Sequence, residues 1–190
     1  MKVLTLNTKS FEANSLRLMS KLDAAPDLVV GILTGGGYVL EAIKTHPNIK
    51  DCLFEVVTFQ RTSTHFKQRY LKPIFSILPY FILNWFRVLE SKKVKHKISN
   101  LDQNKLQETK LEFNLESEDS SFIKKILIVD DAIDTGKTMF IVKNNLQKKF
   151  PHATIEIAVM TWTIETSVVK PDYYMYKNTL LRFPWSNDYK

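Results

Sequence analysis

Two adjacent acids, Asp130 and Asp131, close the apolar run Ile126-Leu127-Ile128-Val129, and a third, Asp134, follows just before Thr135-Gly136-Lys137-Thr138. Carboxylates are expensive to bury, so acids at the end of a core-type strand point to a task. They suit sugar hydroxyls, or a Mg²⁺ ion held together with them. A tight turn that opens a helix presents backbone N–H groups and suits a phosphate. A simple capped turn, with Asp134 or Thr135 as N-cap and Gly136 for tightness, is the plainer alternative. It leaves Asp130 and Asp131 unexplained. A Walker A loop is excluded because its upstream glycine is absent.

Several elements are needed to position these groups. Leu28-Val29-Val30-Gly31-Ile32-Leu33 reads as a strand, Thr34-Gly35-Gly36-Gly37 as a turn, and Tyr38 to Lys44 as a helix. Further strands are expected at Leu53 to Phe59, Ile126 to Val129, Ile155 to Met160 and Tyr173 to Tyr176, with a helix from Met139 to Phe150. Residues 1–25 read as a short strand followed by a helical or loop segment. Strands alternating with helices predict an α/β fold with a mostly parallel sheet covered on both faces.

Composition narrows the class. The 190 residues amount to one domain with a possible appendage. With 1 Cys there is no internal disulfide, and no Cys/His cluster has zinc spacing. The chain is 44% hydrophobic, too apolar for a disordered protein. The N-terminus lacks the pattern of a secretory signal, so a cytoplasmic location is expected. The most apolar stretch, 73–89, is broken by Pro79, Asn84 and Arg87 and falls short of a membrane span. The net charge is +7, yet residues 61–97 alone hold 9 Lys/Arg against 1 Glu, a local +8 that leaves −1 for the rest. The basic character therefore belongs to one segment and not to the whole body.

The run Ile128 to Thr138 resembles the phosphoribosyl pyrophosphate (PRPP) motif of the type I phosphoribosyltransferases. Val30 to Gly37 resembles that family's pyrophosphate loop. Pro171-Asp172-Tyr173-Tyr174 and Leu181-Arg182-Phe183-Pro184-Trp185 resemble the C-terminal hood of its hypoxanthine-guanine and xanthine-guanine subgroup. The resemblance implies an open parallel sheet flanked by helices. A single domain over 1–190 would carry a small hood, formed by 161–190 with the N-terminus, and a helical insertion at 66–120.

It also implies roles. Asp130 and Asp131 would hold the ribose hydroxyls, directly or through Mg²⁺. Asp134 would be the general acid/base near N7 of the base. Thr135, Gly136, Lys137 and Thr138 would wrap the 5′-phosphate. Thr34 and Gly35 would form the pyrophosphate loop, where the family sometimes has a cis non-proline peptide. Arg61, in the following loop, would contact pyrophosphate. Leu180 takes the place of a stacking aromatic, and Leu181 that of a residue reading the base through its backbone. Asp188 matches a late acid that reaches the second Mg²⁺ or its waters. The implied reaction is purine salvage: transfer of the phosphoribosyl group of PRPP to hypoxanthine, guanine or xanthine, with pyrophosphate released.

The pattern departs from the family at three places. Thr163 stands where the purine enzymes have a lysine that reads the exocyclic oxygen, with Trp162 beside it and Lys170 offset by seven residues. Leu180 is not aromatic, so stacking would fall to Trp162, which reads equally as a core residue. The region of the mobile loop is enlarged. Two alternatives therefore stand beside the 6-oxopurine reading: a non-purine acceptor, such as a glycan or lipid precursor, and a non-catalytic PRPP-binding regulator. The aromatic and basic stretch at 73–97 reads as a surface between copies in a homodimer or higher oligomer, as a lid, or as a peripheral membrane contact. No specific nucleic-acid partner is expected, since no RNA-binding or helix-turn-helix pattern is present.

Overall fold

The computed structural model describes residues 1–58, 78–98, 106–109, 111, 113 and 122–190, with side chains to Lys93 in the 80–98 helix. The elements in chain order are β1 (Lys2–Thr5), α1 (Thr8–Met19), β2 (Leu28–Leu33), α2 (Gly35–Ile43), β3 (Leu53–Thr58) and α3 (Tyr80–Ile98). They are followed by β4 (Lys125–Ile133), α4 (Lys137–Lys149), β5 (Thr154–Trp162), β6 (Tyr173–Lys177) and β7 (Thr179–Arg182).

Five strands form a parallel sheet in the order β3-β2-β4-β5-β6. The branched apolar residues of β2, β4 and β5 explain why these three are central, since a parallel sheet buries both faces. Val30, Ile32, Ile126, Ile128 and Ile157 pack on one face with Met139, Val142 and Leu146 of α4. Val29, Leu127, Val129, Ala158 and Met160 pack on the other with residues of α1 and α2. Helix α1 is started by Asn7, whose side-chain oxygen accepts from Ser10 N–H at 2.8 Å.

A second, two-stranded sheet joins the chain ends. β1 pairs with β7 in parallel, Val3 opposite Leu180 and Leu4 opposite Leu181. It is tied to the main sheet by Thr161 Oγ1–H, which donates to Thr179 O at 2.6 Å. Helix α3 accounts for most of the apolar run expected at 73–89. Its inward face is anchored to this small sheet: Leu83 is buried, Arg182 donates to Asn84 Oδ1 at 2.8 Å, and Arg87 donates to Leu181 O at 2.9 Å. Among the described residues, no helix is long and apolar enough to cross a membrane.

Candidate active site

The chain leaves β2 toward β3 on one side and later returns to place β4 on the other. The strand order therefore switches direction between β2 and β4. Open parallel sheets bind ligands at such a point, outside the carboxyl ends of the strands. Gly31 is paired with Val129, so the turn after β2 and the acids after Val129 converge there. The Leu33–Thr34 peptide is cis, and α2 starts at Gly35. A β-carbon on Gly35 would overlap the carboxylate of Asp131. A side chain at position 35 would therefore have to displace that carboxylate.

Both acids are held in place. Asp130 is 7% exposed, and its Oδ1 accepts from the backbone N–H of Asp131 at 2.9 Å. Asp131 is half-buried, and its Oδ2 accepts from the indole N–H of Trp185 at 3.4 Å. That indole is stacked on Tyr38 (4.2 Å between ring centres, 17°) and on Phe183 (4.8 Å, 4°), with Phe11 edge-on at 4.8 Å. Tyr38 lies in α2, directly after the glycines that open that helix. Trp185 therefore links the loop after β2, the acids of β4 and the C-terminal segment.

β4 extends through the acids to Ile133 before the chain turns. Asp134 is exposed. Gly136 has φ 79° and caps α4. A side chain is disfavoured there both by the left-handed backbone and by Val169 N, 2.9 Å from where its β-carbon would stand. Thr135 Oγ1 accepts from Lys137 N–H at 3.2 Å, and Thr135 O accepts from Val168 N–H at 2.9 Å. Lys137 is exposed and Thr138 half-buried at the start of a 13-residue helix. Acids, turn and helix N-terminus thus follow one another at the carboxyl end of a central strand, an arrangement suited to a phosphorylated sugar.

The remaining expected residues fall differently. Leu180 is half-buried on β7, and Leu181 is 4% exposed. Trp162 is 8% exposed in the core. Its indole N–H donates to Ser167 Oγ at 2.9 Å, with Lys177 Nζ 5.0 Å from the ring centre. Of its two readings, burial favours the core residue. Thr163 is 1% exposed, its N–H donating to Ile133 O at 2.9 Å, while Lys170 is exposed. Arg61 lies outside the described residues.

Asp188 forms the hub of a buried ion cluster. Its Oδ2 accepts from Arg182 Nε at 2.9 Å and Arg87 Nε at 2.8 Å, and its Oδ1 accepts from Arg87 Nη2. Arg182 is 1% exposed. Burial pushes the Asp188 carboxyl up, but the hydrogen bonds and charges of Arg87 and Arg182 outweigh it and hold the group below its ordinary value. The sequence marked Asp188 as a late acid. It gave no sign that two arginines, one from α3, would engage both of its oxygens.

Among the described residues, no group of three or more His, Cys, Asp or Glu is placed to hold a metal. A cation here would need ligand oxygens in addition to Asp130 and Asp131. A cavity of about 430 Å³ lies at the opposite end of the sheet, lined by residues such as Asp27, Cys52 and Ile123. It is remote from the acids of β4.

No family model matches the chain, and no curated protein matches its sequence. Solved structures do match its fold. A purine phosphoribosyltransferase from Pyrococcus horikoshii aligns with a TM-score of 0.55 at 20% identity, over 98% of this chain and 95% of that one. The xanthine-guanine-hypoxanthine phosphoribosyltransferase of Helicobacter pylori aligns with 0.56 at 14%, over 96% and 91%. A hypothetical protein from Neisseria gonorrhoeae with bound ppGpp aligns with 0.55 at 13%, over 97% and 89%. At these identities the likeness is one of fold: a central parallel sheet flanked by helices, with the type I phosphoribosyltransferase topology.

Proposed function

We propose that this chain is a PRPP-dependent type I phosphoribosyltransferase acting on a 6-oxopurine. The observation that carries the reading is the meeting of Gly35 and Asp131 at the switch point, next to a phosphate-type turn at the start of α4. A glycine loop, paired acids and a helix N-terminus are the three receptors that a ribose carrying a pyrophosphate and a phosphate requires.

In this reading the 5′-phosphate sits on the backbone N–H groups of Thr135 to Thr138, with the Thr hydroxyls and the dipole of α4 adding to the attraction. Asp130 and Asp131 accept the ribose hydroxyls. Thr34 and Gly35 offer backbone groups to the pyrophosphate, and Arg61 belongs to the same set by its sequence position. A base nitrogen attacks C1′ as the bond from C1′ to the pyrophosphate oxygen breaks, and Asp134 handles the proton at N7. Leu180 and Leu181 line the base side.

The oxygen donors of Asp130 and Asp131 suit Mg²⁺, which would neutralise charge growing on the pyrophosphate. Asp188 is assigned to the architecture of the hood rather than to the metal, because both of its oxygens face guanidinium groups.

Thr163, buried where a lysine would read an exocyclic oxygen, favours a second reading: transfer to a non-purine acceptor. A pyrophosphate-release assay over hypoxanthine, guanine, xanthine and non-purine acceptors separates the two. Turnover with a 6-oxopurine is expected, and PRPP binding without turnover of any of the three would refute the first reading. Asp134→Asn should cut turnover while leaving PRPP affinity intact.

A further inference from the structure

Helix α3 has two unlike faces, and among the described residues only one is used by the fold. Tyr80, Leu83, Asn84, Arg87 and Ser91 recur at helical spacing. Leu83 is buried, and the other four engage Lys190, Arg182, Asp188 and Met1 respectively. The opposite side carries Phe81 (72% exposed), Trp85 (60%) and Phe86 (45%). Lys92 and Lys93, both exposed, fall on that same side, since residues seven apart return to nearly the same angle. The aromatics and the lysines are separated along the axis by ~10 Å. Glu90, the acid of this stretch, is exposed and, four residues after Phe86, borders the outward face, so Lys92 and Lys93 outnumber it there.

We propose that this face of α3 docks on an anionic lipid surface. Charge complementarity selects the occupant. α3 itself carries Arg87, Lys92, Lys93, Lys95 and Lys97 against Glu90, and anionic headgroups complement that excess of positive charge. Large aromatics beside them suit the boundary between headgroups and acyl chains, where a helix lies flat with its apolar side inserted. A flat helix is also the geometry imposed by its anchors, because Arg87 and Asn84 fix α3 lengthwise along the hood. Docking would leave the hood strand β7 behind α3, about one helix diameter (~10 Å) from the lipid surface. This inference stands on α3 alone and is independent of the acceptor.

The test is co-sedimentation of the full chain with vesicles of phosphatidylcholine alone, and of phosphatidylcholine with phosphatidylserine. Three variants are compared: Phe81→Ser/Trp85→Ser, Lys92→Glu/Lys93→Glu, and an outward control, Glu12→Gln on α1. Far-UV circular dichroism and thermal melting establish that each is folded; the substituted side chains are exposed. Binding to the phosphatidylserine vesicles is expected, weakened by salt and reduced about tenfold by either pair of α3 substitutions, with the control unaffected. No binding to either vesicle, or equal binding by the α3 variants, would overturn the proposal. So would a lipid-free dimer that the Phe81→Ser/Trp85→Ser variant dissociates, since it would assign the face to a second copy.

Discussion

Trp185 donates its indole N–H to Oδ2 of Asp131 at 3.4 Å, across 54 residues of sequence, while Gly35 crowds the same carboxylate. The acid is therefore fixed from two sides of the chain, and each contact can be removed separately. Gly35→Ala puts a methyl group where the Asp131 carboxylate lies. PRPP affinity should fall at least about tenfold, because moving a charged group out of position forfeits its hydrogen bonds. Trp185→Phe preserves a ring between Tyr38 and Phe183 but removes the donor. A long hydrogen bond of this kind contributes roughly 1 kcal/mol, so a loss of about fivefold is expected. Calorimetric titration with PRPP and Mg²⁺ measures both, with melting temperature as the control. Unchanged PRPP affinity in Gly35→Ala would show that Asp131 does not contact this substrate.

The buried cluster of Asp188, Arg182 and Arg87 predicts a pH effect. Its carboxyl titrates below the ordinary range in the folded state, so its stabilising contribution is complete above about pH 4. That contribution is lost as the pH falls through the lower folded value. Acidification from pH 5 toward 3 should therefore lower the melting temperature, and Asp188→Asn should remove part of that slope. At neutral pH the same substitution leaves Arg182 buried with a neutral partner, a change costing about 3–5 kcal/mol. Chemical denaturation at pH 7 and pH 3 checks both. Equal loss at the two values would mean that the arginines do not perturb this acid.

The parts of the site that are local in sequence were legible, because their chemistry is local. Two acids ending the apolar strand Ile126 to Val129, and a glycine turn opening a helix, declare themselves within a dozen residues. The same holds for the alternation of strands and helices that gave a parallel sheet. Boundaries shifted where tertiary contacts extended an element: β4 continues through Asp130 and Asp131 to Ile133, and α2 begins at Gly35 instead of Tyr38. What escaped was non-local. Arg87 looked like an interruption of an apolar run, yet it reaches a partner 101 residues away. Trp185 belonged to a recognisable hood pattern, but no spacing rule links it to Asp131. Helix α3 could be expected, but not which of its sides would face out.

Gly136 offers a test of the phosphate turn. Its φ of 79° and the 2.9 Å approach to Val169 N make Gly136→Ala unfavourable on two counts. The left-handed conformation costs an alanine about 1–2 kcal/mol, and the contact requires movement of the 168–169 backbone. Stability should drop by at least that amount, with a parallel loss of affinity for PRPP and for ribose 5-phosphate. The second ligand lacks the pyrophosphate and so isolates the turn. Weaker PRPP binding with unaltered ribose 5-phosphate binding would move the 5′-phosphate away from this loop.

Cys52 sits at the opposite end of the sheet, and its chemistry should be silent at neutral pH. Its thiol donates to Pro26 O at 2.7 Å. Burial, followed by the charges of Asp27 and Asp51, pushes its pKa up to about 11. The thiolate is the reactive species, and at pH 7.5 it would amount to roughly 1 in 3000 molecules. Alkylation by iodoacetamide should therefore be slow at pH 7.5 and rise with pH well beyond the range in which an ordinary cysteine levels off. Since this is the chain's 1 Cys, the labelling rate reports this site without ambiguity. Because Asp130 and Asp131 lie across the sheet, a protein alkylated at Cys52 should bind PRPP as the untreated protein does. Rapid labelling at pH 7.5, or a rate that levels off near pH 9, would mean that burial and the two acids do not suppress the thiolate.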